Sequence, residues 1–121
     1  MTTRYVKAVV FMGGTGTGKT HTVAQLTKDV DVWHADLSTP WWNGYNGQTT
    51  ILVDDLTVAT SNLERLKMIL SPHTTEYPVK HAKGIPVPTE PMTVYITTNE
   101  YLSALWSALT LCQVVEVHNV L

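Results

Sequence analysis

Hydrophobic and polar positions follow two alternating patterns along most of the chain. Short apolar, β-branched runs that end in Gly, Asp or Asn are typical of buried strands, and apolar residues three or four apart predict helices. Strands are predicted over residues 5–12, 30–34, 49–53, 93–98 and 114–117, and helices over residues 20–28, 61–70 and 100–109. Strands that alternate with helices predict an α/β fold with a mostly parallel sheet.

Local signals place the ends of these elements. Ser61 and Glu64 have the spacing of a capping box, so a helix is predicted to begin at Ser61 and to stop at Ser71-Pro72. Its apolar stripe is Leu63, Leu66, Ile69 and Leu70. Residues 38–47 are rich in turn formers and predict a loop, and residues 77–88 predict a hairpin or loop.

Composition limits the classes of function. The 121 residues, 44% of them hydrophobic, predict a single domain over residues 1–121. A net charge of −2 excludes a broadly basic, nucleic-acid-coating surface. The single Cys112 excludes an internal disulfide framework, and the five scattered histidines show no four-ligand zinc pattern. A polar start and an apolar run of only residues 8–12 lead us to expect a soluble chain with no membrane partner.

The turn after the first predicted strand carries the strongest chemical signal. It fits the P-loop pattern, in which glycines let backbone N–H groups face phosphate oxygens and the following helix presents its N-terminus. A chance Gly/Thr-rich turn is the alternative, but the flanking strand and helix are the context that a P-loop requires. The predicted nucleotide-binding residues are Gly13, Gly14, Thr15, Gly16, Thr17, Gly18, Lys19 and Thr20.

Polar residues also follow the predicted strands at 49–53 and 93–98, at the carboxyl ends of the strands where α/β sheets place their functional residues. Asp54 is predicted to hold Mg²⁺ together with the Thr20 hydroxyl, and Asp55 to polarise the attacking water. A solvated turn is the alternative for the two carboxylates. Asn99 is predicted either to orient that water or the γ-phosphate, or to cap the helix that follows it; the two roles are compatible.

Four stretches resemble the helicase domain of the replication-initiator (Rep) proteins of circular single-stranded DNA viruses, a circovirus-like group of superfamily 3 helicases. They are GGTGTGKT at 13–20, WWNGYNGQTTILVDD at 41–55, VKHAKG at 79–84 and YITTN at 95–99. The second is the most specific, because generic P-loop ATPases lack its aromatic lead-in. The resemblance covers residues 6 to about 111 and implies a P-loop NTPase fold, with an AAA+-like parallel-sheet core flanked by helices.

The resemblance implies roles and partners as well. ATP and Mg²⁺ are the implied cofactors, with Lys19, Asp55 and Asn99 as catalytic residues. The chain is expected to form a hexameric ring in the host nucleus, with Lys80, His81 and Lys83 facing single-stranded DNA in the central pore. Ordinary surface solubility is the alternative for the two lysines. The nicking domain of Rep proteins is not matched, so the chain is interpreted as a helicase-domain fragment or a reduced relative.

One feature departs from the family. Rep proteins carry an arginine finger after the motif that matches YITTN at 95–99, where this chain reads Ala108-Leu109-Thr110-Leu111-Cys112. Such a finger stabilises charge on the transferred phosphoryl group and is worth about 10³–10⁵ in rate. Only Arg4 and Arg65 are present in the chain, and both are poor replacements. We therefore expect competent nucleotide binding with weak hydrolysis.

Three functions are compatible with these features. The leading hypothesis is an ATP-dependent DNA helicase motor for rolling-circle replication. The alternative is a nucleotide-binding or assembly module with little hydrolysis. A picornavirus-type RNA helicase of the same superfamily is the third, which the Trp-Trp-x-Gly-Tyr segment disfavours. Within that segment, Trp41, Trp42 and Tyr45 are predicted to pack on the core rather than to stack on bases.

Overall fold

The computed structural model describes residues 4–13, 18–57 and 59–119, without the side chains of Thr60 and Ser61. Strands and helices alternate along most of this part of the chain, as the sequence pattern predicts. The described elements are β1 (Val6–Met12), α1 (Lys19–Leu26), β2 (Val32–His34), β3 (Thr50–Leu56), α2 (Thr60–Leu70), β4 (Glu76–Tyr77), β5 (Ile85–Pro86), β6 (Met92–Thr98), α3 (Leu102–Leu109) and β7 (Val114–Asn119).

Five of the described strands form one parallel sheet in the order β2-β3-β6-β1-β7. This confirms the predicted α/β class and its P-loop NTPase type of core. The strands β3, β6 and β1 are direct neighbours, so their carboxyl ends meet at one edge of the sheet. That edge is where open α/β sheets bind their ligands.

The two faces of the sheet are covered by different elements. Along β1, Val6, Ala8 and Val10 belong to the larger hydrophobic cluster, which includes buried residues of α2 and α3. Val9 and Phe11 alternate with them and pack in a smaller cluster with Val23 of α1. Burial on both faces explains why β1 is an almost continuous apolar run.

The predicted start of α2 is wrong by one residue, while its apolar stripe is confirmed. The helix begins at Thr60, and the residue at its N-cap is Ala59 rather than Ser61. Leu66, Ile69 and Leu70 are fully buried, and Leu63 packs against them. Tertiary burial of this stripe therefore decides where the helix lies, since most helical stability comes from packing of the apolar face.

The capping role considered for Asn99 is also wrong. Helix α3 begins at Leu102 with Tyr101 at its N-cap, two residues beyond Asn99. The Asn99 side chain instead accepts a hydrogen bond from Lys19. None of the helices in the described part of the chain is long and apolar enough to cross a bilayer.

The predicted hairpin is confirmed as the antiparallel pair of β4 and β5, in which Tyr77 pairs with Ile85. β2 and α1 are shorter than predicted, β3 and β7 are longer, and each difference is three residues or fewer. Element ends are set by local hydrogen bonds that an apolar pattern does not encode.

Candidate functional site

Gly13 and Gly18 are the two described residues between β1 and α1. The Gly13 N–H donates to the Thr98 carbonyl of β6 at 3.3 Å, and Gly18 starts α1 with a φ of 82°. This left-handed conformation suits glycine because it has no Cβ. The predicted nucleotide-binding residues Gly14, Thr15, Gly16 and Thr17 lie outside the described residues.

Lys19 joins the ends of β1 and β6. Its Nζ donates to the Gly13 carbonyl and to Asn99 Oδ1, both at 2.7 Å. The side chain is only 9% exposed although it carries a charge. Buried ammonium groups need such acceptors, so Lys19 and Asn99 are held together at the sheet edge.

Two hydroxyl groups meet on one carboxylate oxygen. Thr20 Oγ1 donates to Asp54 Oδ1 at 3.1 Å, and Thr97 Oγ1 donates to the same oxygen at 2.6 Å. The Thr20–Asp54 pair is the one predicted to bind a metal. The structure thus brings the helix α1 residue and the β3 residue into direct contact.

Asp54 and Asp55 lie in a β-bulge. Between the pairs Val53–Ile96 and Leu56–Thr98, β3 carries one residue more than β6. Asp55 has a φ of 56°, in the left-handed region that non-glycine residues rarely adopt. A regular strand would direct neighbouring side chains to opposite faces, but here both carboxylates line one cleft.

The cleft has a volume of about 430 Å³ and an open mouth. Apart from Gly13, every described residue that was predicted to bind nucleotide or metal, or to act in catalysis, lines this cleft. It is lined by Gly18, Lys19, Thr20, His21, Asp54, Asp55, Thr97 and Asn99. Residues that lie up to 81 positions apart in the chain, from Gly18 to Asn99, therefore surround one space with one ammonium group and two carboxylates.

The chemistry of this donor set fits Mg²⁺. Thr20 and Asp54 offer hydroxyl and carboxylate oxygens, and Mg²⁺ is usually held by one or two such groups plus substrate phosphates and water. Among the described residues there is no cluster of three or more His, Cys, Asp or Glu side chains arranged for a metal.

Two residues that line the cleft, His21 and Thr97, were not predicted from the sequence. Of these, Thr97 contacts a predicted site residue, because its hydroxyl donates to Asp54. It is 1% exposed, and its neighbour Thr98 is fully buried and donates to the Leu56 carbonyl at 2.8 Å. Buried polar groups need partners. Two adjacent threonines end this mostly apolar strand. That pattern could have indicated from the sequence that the strand end contacts polar groups.

The predicted nucleic-acid residues lie apart from the cleft set, at the tip of the β4–β5 hairpin. Lys80, His81 and Lys83 are all exposed, and His81 has a φ of 58°. The Lys80 N–H donates to Asn43 Oδ1 at 3.1 Å, and this bond fixes the start of the tip to the 38–47 loop.

A stack of aromatic rings holds the base of this hairpin. Trp42 lies between Trp33 and Tyr77, with ring centroids 4.2 and 3.6 Å away and nearly parallel planes, and Tyr45 meets all three edge-on. Burial raises the pKa of the Tyr45 and Tyr77 phenols, so both are neutral. The packing prediction is confirmed for Trp42 and Tyr45 and wrong for Trp41, which is 39% exposed.

Both arginines are engaged within the chain. Arg4 is 6% exposed and donates to the carbonyls of Ile69 and Ser71 at 2.6 and 2.8 Å. Arg65 lies on α2, is half-buried and donates to the Leu37 carbonyl. These contacts give each guanidinium a structural partner in its own subunit.

A comparison with family models connects this geometry to known proteins. The model of the RNA helicase family matches residues 9–100, which is most of the chain. The match extends from β1 to the residue after Asn99 and includes the cleft residues and the tip of the hairpin. The comparison with curated proteins gives no match.

Proposed function

Because this chain belongs to the RNA helicase family, we propose that it is the ATP-dependent motor domain of a viral replication-initiator protein. In this proposal, ATP hydrolysis drives movement along single-stranded DNA during rolling-circle replication in the host nucleus. A helicase is an NTP-driven enzyme, so membership of the family supports a nucleotide-dependent helicase domain in general terms. The proposed ATP binding and hydrolysis rest on one observation, that Lys19, Asp54, Asp55 and Asn99 all line one cleft.

Each cleft residue has a proposed task. The Lys19 ammonium group contacts the β- and γ-phosphates, replacing part of its present contacts with Gly13 and Asn99. Asp55 accepts a proton from, and orients, the water that attacks the γ-phosphorus in line. The Asn99 amide, one strand away, orients the γ-phosphate or that water.

Thr20 and Asp54 are the proposed ligands of Mg²⁺, since their oxygens already lie 3.1 Å apart. A cation held by these residues would neutralise negative charge on the phosphates. Both residues line the cleft and are exposed, so phosphates and water could complete the coordination shell.

Two substitutions test the nucleotide chemistry. Lys19→Ala should reduce binding of a fluorescent ATP analogue by about a hundredfold, because a charge-assisted phosphate contact is lost. Asp55→Asn should bind the analogue within about twofold of the parent chain and lose about a hundredfold or more in hydrolysis. Normal hydrolysis by Asp55→Asn would show that another group orients the water.

The proposed nucleic-acid partner is tested separately. Lys80 and Lys83, with His81 between them, form an exposed tip that carries two ammonium groups, which suits a phosphate backbone. We expect binding to single-stranded DNA, while the family's description makes RNA the natural comparison. Fluorescence anisotropy with DNA and RNA oligonucleotides of one base sequence decides between them, and tighter binding to RNA would overturn the DNA assignment.

A second candidate function is a nucleotide-binding or assembly module with little turnover. The observation that favours it is that Arg4 and Arg65, the chain's two arginines, are both bonded within their own subunit. Such a chain would bind ATP tightly and hydrolyse it slowly, even at saturating nucleotide. A single-turnover measurement of bound ATP and of the ADP formed separates the two functions. A motor converts its bound ATP to ADP, whereas a nucleotide-binding module keeps bound ATP and forms little ADP.

A further inference from the structure

We propose that Thr97 is a positioning residue that sets the geometry of both β3 carboxylates through one hydroxyl group. The proposal rests on the proposed function only for its catalytic consequence. The structural basis is the bulge in β3, in which Asp54 and Asp55 together face the single residue Thr97 of β6.

The Thr97 hydroxyl uses both of its hydrogen-bonding capacities. It donates to Asp54 Oδ1 at 2.6 Å and accepts from the Asp55 backbone N–H at 2.7 Å. A hydroxyl is the small side-chain group that can donate and accept at one atom on a strand. An apolar side chain of the same shape would leave the Asp55 N–H without this acceptor.

The bulge has to be held against its own conformational cost. Asp55 adopts a φ of 56°, a conformation that is unfavourable for a residue with a Cβ and persists only when its surroundings enforce it. Thr97 is 1% exposed, so its hydroxyl is not displaced by bulk water. The bond to the Asp55 N–H therefore fixes the residue at the point where its backbone is strained.

The second bond fixes the metal ligand. Asp54 Oδ1 accepts hydrogen bonds from the hydroxyls of Thr20 on α1 and Thr97 on β6. Thr20 can turn toward a cation, whereas buried Thr97 stays on the carboxylate. Thr97 thus keeps Asp54 oriented while Thr20 changes partner, and it holds the adjacent Asp55 at a constant distance from that metal ligand.

The experiment compares Thr97→Val, which replaces the hydroxyl with a methyl group, with Thr97→Ser, which keeps the hydroxyl. Thr93→Val is the matched control, because half-buried Thr93 lies on the same strand at the end away from the cleft. In the nucleotide-free protein, Thr97→Val should speed hydrogen exchange of the Asp55 amide by about tenfold or more, and the other two variants should leave it unchanged.

With Mg²⁺ and ATP, Thr97→Val should need several-fold more Mg²⁺ for nucleotide binding and should lose about tenfold in kcat. Thr97→Ser should stay within about twofold of the parent chain in both measurements. A merely structural role would lower thermal stability without moving the Mg²⁺ requirement.

Three results would overturn the proposal. They are unchanged exchange at Asp55 in Thr97→Val, equal defects in Thr97→Val and Thr97→Ser, and an unchanged Mg²⁺ requirement. A parent chain that binds no nucleotide would instead refute the proposed function, and the exchange measurement would still decide whether Thr97 holds the bulge.

Discussion

Single residues show how strongly this chain depends on buried polar contacts. Arg4 precedes β1, yet its guanidinium reaches the carbonyls of Ile69 and Ser71 at the end of α2, and also the Met92 sulfur at 3.2 Å. Helix carbonyls at a C-terminus have no intrahelical partner, and a cation there also complements the helix dipole. Arg4 therefore acts as a C-terminal cap that arrives from a distant segment.

Replacing Arg4 should show this role as a loss of stability. We expect Arg4→Ala to lower the free energy of unfolding by about 2–4 kcal/mol, since buried carbonyls lose a charged donor. Arg65→Ala should cost about 1 kcal/mol, because half-buried Arg65 donates to a single carbonyl. Urea unfolding measures both, and equal small losses would contradict the capping role of Arg4.

The same two variants test the expectation of weak hydrolysis. If hydrolysis is limited by a missing finger, the parent chain should turn over slowly, and Arg65→Ala should not change that rate. Robust hydrolysis that is insensitive to both substitutions would show that the chain does not need a finger from either residue.

Among the elements, the β4–β5 hairpin depends on its neighbours most. Two paired residues on each strand are too few to hold a hairpin in water. Trp42 supplies the missing stability, because its ring stacks on Tyr77 and its backbone N–H donates to the Pro78 carbonyl at 2.8 Å. Asn43 adds the hydrogen bond to Lys80 at the tip.

The loop over residues 38–47 should therefore influence nucleic-acid binding through the hairpin tip, without contacting the nucleic acid itself. We expect Asn43→Ala to weaken oligonucleotide binding about threefold, because the Lys80 backbone loses its anchor. Asn46→Ala is the control, since Asn46 is also an exposed asparagine of that segment. Fluorescence anisotropy measures both, and equal affinities for the two variants would show that the anchor does not matter.

The lysines at the tip should behave differently from Asn43. Lys80→Ala and Lys83→Ala should each weaken binding and reduce the salt dependence by about one unit of slope, as expected when one phosphate contact is lost. Asn43→Ala should leave the slope unchanged, since no charge is removed. This difference separates a positioning effect from a direct contact.

At the scale of the whole molecule, the net charge of −2 requires that any nucleic-acid contact be local. Assembly would multiply one small cationic tip into a circle of positive charge, which is why we propose a ring. Mass photometry with ATP, Mg²⁺ and single-stranded DNA should then show a six-fold species. A persistent monomer that binds nucleotide but no DNA would favour the second candidate function, a nucleotide-binding module with little turnover.

Much of this protein could be predicted from local patterns. The strands and helices, the α/β class and the cleft residues Lys19, Asp54 and Asn99 all follow from short sequence signals, because phosphate and metal chemistry tolerates few residue types. The apolar stripe of α2 was equally readable, since helical periodicity depends only on neighbours three or four positions apart.

Only the tertiary structure decided what depends on residues far apart in the chain. The bulge at Asp55, the Thr97 bridge and the Arg4 cap arise because parallel strands bring positions about 40 to 90 residues apart into contact, and no local pattern encodes that register. Asn99 became a partner of Lys19 rather than a helix cap for the same reason. Sequence determined which chemical groups are present at the sheet edge, and packing determined which of them touch.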